Sequence, residues 1–126
     1  MSAIDTARFC EMLVVADPEL ASIIGRVTSG HLSIGNAMAE VGEMTLALAR
    51  ANETGRLGSV FRVAEQGLVE GTETVKAAVA TQFLETLQHA SDSEVARVWV
   101  PMLGEESRAY CRAWDEFSGV RTPGLW

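Results

Sequence analysis

The chain has 126 residues, 48% of them hydrophobic and 21% charged, which fits one globular domain with a real core and excludes a disordered polar chain. Seventeen acids against ten bases give a net charge of −7. That balance repels phosphate backbones and anionic lipid, so nucleic acid and membrane surfaces are not expected partners, whereas a basic protein surface is favoured. No apolar run approaches the ~20 residues of a membrane span. Near the N-terminus Asp5, Arg8 and Glu11 interrupt the apolar residues, unlike a secretory signal.

The first predicted helix covers Asp5 to Val15, with Phe9, Met12 and Leu13 at helical spacing and Cys10 beside them. Asp17-Pro18-Glu19 then reads as a helix start: an acid at the cap, proline in the first turn, and a second acid that the helix dipole favours. This second helix carries Leu20, Ile23, Ile24 and Val27 and ends in Thr28-Ser29-Gly30. The third runs from Ile34 to Asn52, with Met38, Val41, Thr45 and Leu48 as its apolar stripe. Gly35 and Gly42 lower its propensity and are read as places where a neighbouring helix comes close. Asn52-Glu53-Thr54-Gly55 reads as a loop.

The fourth helix spans Leu57 to Glu70 and closes at Gly71. Thr72 opens the fifth as its cap, and Val75, Val79, Phe83 and Leu87 repeat every four residues along it. After the polar break at Ser91–Ser93, a sixth helix carries Val95, Val98 and Trp99, with Trp99 expected to be partly exposed beside Pro101. Pro101 kinks that helix or begins a seventh, in which Met102, Leu103, Tyr110, Trp114 and Phe117 form the last stripe before Gly119. Strand signals are poor throughout. The expected fold is therefore all-α, with six or seven helices in antiparallel hairpins, stacked as a HEAT-like array or closed into a compact bundle. Residues 1–119 are expected to form one helical domain and residues 120–126 an irregular C-terminal tail.

Candidate chemistry is sparse. His31 and His89 sit at helix ends, outside any metal-binding spacing, and no glycine-rich phosphate loop occurs. Cys10 and Cys111 lie near opposite ends with no local nucleophile signature, and in apolar helical surroundings they read as core thiols, which fits a cytoplasmic location. No catalytic residue, metal or cofactor is expected. The acid pairs stand out more: Glu40 and Glu43 one turn apart, Glu70 and Glu73 about the hairpin turn, then Glu105-Glu106 and Asp115-Glu116. Paired carboxylates serve acid–base chemistry in some sites. More often they form solvated helix faces, which steer basic partners at little structural cost. Glu40, Glu43, Glu105, Glu106, Asp115 and Glu116 are therefore the expected partner-binding residues, together with Trp126, either folded back as a plug or left for a partner.

The central hairpin, Phe61-Arg-Val-Ala-Glu-Gln-Gly-Leu-Val-Glu-Gly71 followed by Thr72-Glu-Thr-Val-Lys-Ala-Ala-Val-Ala-Thr-Gln-Phe-Leu-Glu-Thr-Leu87, resembles a group of small bacterial all-helical domains of uncharacterised function. Met102-Leu-Gly-Glu-Glu-Ser-Arg108 is similar to their C-terminal Leu-Gly segment, with Glu105 where the group has proline. Such domains look like those encoded beside polymorphic toxins, where acidic helical proteins serve as immunity factors. The resemblance implies an immunity protein, monomeric or weakly dimeric, that binds a toxin domain with a basic cleft and occludes its active site. A helical-repeat adaptor or oligomerisation module is the alternative.

Overall fold

A computed structural model describes residues 2–126. Helix α1 spans Thr6–Ala16, capped by the Asp5 side chain, which accepts from the Arg8 N–H at 2.8 Å. Asp17 both ends α1, through its N–H to the Leu13 carbonyl, and caps the 3₁₀ turn Pro18–Leu20 that leads into α2, Ala21–Thr28. Its carboxylate is buried and also accepts from Arg56 Nε and Nη2, so one acid joins the α1–α2 corner to the helix that carries Arg56.

Helix α3, Ile34–Arg50, begins at a Ser33 cap, and α4 spans Thr54–Glu70, starting inside the segment expected to be loop. No side chain caps α4; an abrupt turn at Asn52, whose φ is 58°, sets its entry. Helix α5 starts at its Thr72 cap, runs through Glu73–Ala77, widens into a π-helical stretch over Ala78–Leu84 and resumes as Glu85–Ala90. Helix α6 is Ser93–Trp99, capped by Asp92. Pro101 sits in the 3₁₀ turn Val100–Met102 that separates α6 from α7, Glu105–Ser118. Gly119 closes α7 at φ 79°, a left-handed position that suits glycine.

Among the described residues there are no strands, only one isolated parallel bridge at Ile4 and Gly71. Ile4 donates to the Glu70 carbonyl at 2.8 Å and accepts from the Thr72 N–H at 2.9 Å, which pins the residues before α1 onto the α4–α5 turn. The fold is all-α. Each unit of a solenoid touches only its neighbours. Here α1 packs on α4, α4 packs on α3, α5 and α7, and α5 lies against α3 along most of its length. That is the contact pattern of a compact bundle.

The core gathers around α5. Phe61 meets Phe83 edge-on at 5.5 Å and stacks on Trp99 at 6.3 Å. Trp99 is completely buried, contrary to the partial exposure expected beside Pro101, because the 3₁₀ turn carries the chain away after it and its Nε1 donates to Ser91 Oγ at 2.8 Å. Phe117, expected in the last stripe, is instead 78% exposed. Gly42 is a true packing position: a Cβ there would lie 3.0 Å from Thr86 Cγ2 on α5. Gly35 is not, since a Cβ would meet its nearest neighbour, Gln82, at an ordinary 3.6 Å. Cys10 and Cys111 are buried and free. Burial raises the Cys10 pKa, and burial with the Asp115 charge nearby pushes that of Cys111 up to about 12.

Candidate functional site

The seven residues expected to bind a partner do not share one environment. Glu43 is exposed on α3, and Glu105, Glu106 and Glu116 are exposed on α7, none of them in an ion pair among the described residues. Glu40 is half-buried and pairs with Arg26 of α2, so its charge is largely answered within the fold. Neither described cavity is lined by any of the seven.

Asp115, expected among the partner-binding residues, is instead buried. It is 3% exposed and unavailable to a partner. Its Oδ1 accepts from Gln88 Nε2 at 2.9 Å and Thr122 Oγ1 at 2.7 Å, and its Oδ2 from the Thr122 N–H at 2.8 Å and Trp126 Nε1 at 3.2 Å. Four donors replace the water a buried carboxylate would lose. The tail that supplies three of them folds back over α7, burying Leu125, whose carbonyl accepts from the Arg112 guanidinium. Trp126 is held by this clasp yet remains 54% exposed, with Arg112 and Arg121 over its ring at 5.5 and 5.7 Å. It is tethered at one edge and open at the other.

The larger of the two described cavities lies elsewhere. Helices α1 and α4, with the 3₁₀ turn before α7, form an open groove of about 760 Å³. Its apolar lining is Met12, Ala16, Phe61, Val63 and Met102, together with Val15, which is 84% exposed. Two guanidiniums belong to the lining. Arg8 has only a 3.4 Å contact to the equally exposed Glu11, and Arg62 only a 3.3 Å bond to the Ser59 hydroxyl. An exposed pair of that kind contributes little.

The lining acid, Glu65, is already engaged. Its carboxylate accepts from the N–H groups of Glu106 and Ser107, each at 2.9 Å, and from the Ser107 hydroxyl at 2.6 Å, so a residue of α4 caps α7 from outside. Burial works against the Glu65 charge, but these three bonds outweigh it and hold its pKa below the ordinary glutamate value. Gly104 makes room for the arrangement, since a Cβ there would run into the Glu65 side chain, with Cγ at 2.6 Å. The groove is thus lined mainly by apolar side chains and by two guanidiniums, in a chain that is acidic as a whole.

Spacing hinted at this surface. Between Phe9 and Ala16 nearly every residue of α1 except Glu11 is apolar, more than one buried face can take, and Arg8, Met12 and Val15 fall on one side of the helix. The α4 contribution comes from tertiary packing and has no local sign.

The remaining polar features are structural or solvated. Tyr110 is half-buried, and its hydroxyl donates to Glu85 at 2.5 Å. Burial first, then that bond, raises its pKa. His31 and His89 are exposed at helix ends. Among the described residues no group of three or more His, Cys, Asp or Glu side chains gathers as around a metal ion, and no helix is long and apolar enough to cross a membrane. Residues 10–119 match the family model described as a domain of unknown function, DUF7674, and the chain belongs to that family. No curated protein and no solved structure matches it.

Proposed function

We propose that this member of the DUF7674 family is a protein-binding module acting as a cytoplasmic immunity protein, which docks on a cognate bacterial toxin domain and occludes its active site. The observation that supports this reading is the set of exposed carboxylates without ion-pair partners among the described residues, Glu43, Glu105, Glu106 and Glu116, carried on helices of a bundle with net charge −7. Charges of this kind add little to folding but speed encounter with a basic cleft. Protection requires nanomolar binding or better, on the order of −12 kcal/mol. Rim charges alone do not supply that much. Buried apolar anchors must hold the complex, while the carboxylates set the association rate.

The test is affinity purification of the tagged protein from its native cells, with mass spectrometry of what co-elutes, followed by co-expression. A stoichiometric partner bearing a toxin domain, and survival of cells expressing that toxin only when this chain is present, is the expected result. Recovery of the bait alone, or of a partner whose toxicity it fails to relieve, overturns the immunity role. The second reading, a helical adaptor, is favoured by one observation: the groove between α1 and α4 is lined mainly by apolar side chains, as surfaces that take amphipathic helices are.

A further inference from the structure

We infer that the α1–α4 groove is a docking site for an amphipathic helix of acidic character, a partner opposite in charge to the one the exposed carboxylates would steer. The inference goes beyond the immunity reading and rests only on its protein-binding part.

Three observations carry it. First, the apolar character is built in: Met12 is half-buried, Val15 is 84% exposed, and Met102 joins them from the turn before α7. Exposed apolar side chains scattered singly need no explanation, but an exposed Val15 beside two half-buried methionines in one concavity does. Second, the groove concentrates positive charge against the trend of the molecule. The chain has only ten bases, yet Arg8 and Arg62 both line this groove, Arg8 meeting only the exposed Glu11 at 3.4 Å and Arg62 pairing with no acid among the described residues. Third, the lining acid is committed elsewhere. The Glu65 carboxylate faces the α7 N-terminus and accepts three hydrogen bonds there, so the helix dipole and the Ser107 hydroxyl answer its charge.

Charge complementarity therefore selects the occupant. An apolar stripe at i, i+3, i+4 and i+7 would lie along Met12, Ala16, Val63 and Met102, and flanking Glu or Asp side chains would reach the two guanidiniums as charge-assisted pairs. A strand is a poor fit, because among the described residues there is no sheet edge to extend.

The experiment titrates the intact protein into a fluorescein-labelled peptide of about 15 residues, long enough to form a helix on docking. Leu occupies the i, i+3, i+4 and i+7 positions and Glu the flanks, and a matched peptide carries Lys in place of Glu. Anisotropy should show saturable micromolar binding of the Glu peptide and binding weaker by about tenfold or more for the Lys peptide. The double variant R8E/R62E alters two exposed side chains and keeps the fold, checked by circular dichroism; it should reverse the preference. V15D should weaken both peptides.

Equal affinity for the two peptides, no saturation by about 1 mM, or a preference unchanged in R8E/R62E overturns the inference. So does a concentration-dependent dimer in sedimentation that R8E/R62E abolishes, which would give the groove to a second copy. A charge-reversed set at Glu43, Glu105, Glu106 and Glu116, tested in parallel against a captured toxin, separates the two ideas. Toxin binding lost there with peptide binding intact would leave the groove standing, and a captured toxin with no peptide binding would leave the immunity reading standing.

Discussion

Glu65 and Asp115 are two acids of similar composition context that the fold treats alike, exchanging water for several donors. Their consequences differ. Because the folded-state pKa of Glu65 lies below its unfolded value, its contribution to stability is present above the ordinary glutamate range and is lost as pH falls through the folded pKa. E65Q should lower Tm at neutral pH, and the gap from the parent should close as the buffer is taken below about pH 4, a comparison that thermal melts at several pH values provide. A gap constant with pH would show that Glu65 acts through packing and not through its charge. At Asp115, D115A leaves the buried Thr122 N–H and hydroxyl without their acceptor, while Gln88 Nε2 keeps the Cys111 carbonyl, and should cost about 2–4 kcal/mol in urea unfolding. Asp115 was illegible in the sequence because an Asp-Glu pair on a helix has the local pattern of a solvated face. Its burial depends on Gln88, 27 positions earlier, and on a tail that turns back after Gly119. By contrast the caps at Asp17 and Thr72 were legible, since their partners lie within three residues.

At the scale of elements, the contact of α3 with α5 depends on a missing side chain. The Gly42 position admits a Cβ only if Thr86 moves, and Thr86 is itself held by its hydroxyl bond to the Gln82 carbonyl. G42A should therefore destabilise by about 1–3 kcal/mol, an overpacking cost, and T86A should recover most of it in the double variant. Chemical denaturation of the four proteins in the cycle measures the coupling; simple additivity would mean the helices part instead of Thr86 yielding. The helical pattern marked out α3 and α5, and Gly42 as a close approach, from the sequence alone. The π-helical stretch at Ala78–Leu84 was not marked, since its wider turn preserves the four-residue spacing of Val75, Val79, Phe83 and Leu87 that identified the helix. Nor did spacing distinguish Gly42 from Gly35, because a neighbour's distance is a property of the packed pair.

For the molecule as a whole, the acidic balance and the two guanidiniums of the α1–α4 groove make opposite demands on partners. Capture of a basic toxin domain should slow as salt rises from low to physiological ionic strength while dissociation changes little, as stopped-flow mixing would record. An association rate indifferent to salt removes steering from the account. The all-α class and the helix order were readable from periodicity, whereas the choice of bundle over stack was not. It rests on α1 packing against α4 and on α4 reaching α7, pairings that no local pattern announces.

The capping of α7 by a side chain that also lines the groove makes the molecule its own reporter. The N–H groups of Glu106 and Ser107 bond to Glu65 and not to their own helix. Whatever settles beside Glu65 will shift those two amide resonances and change how quickly they trade hydrogen for deuterium. A heteronuclear spectrum of the labelled protein can therefore follow occupancy of the groove from two signals at the start of a helix on the far side of that carboxylate, with no dye or tag attached.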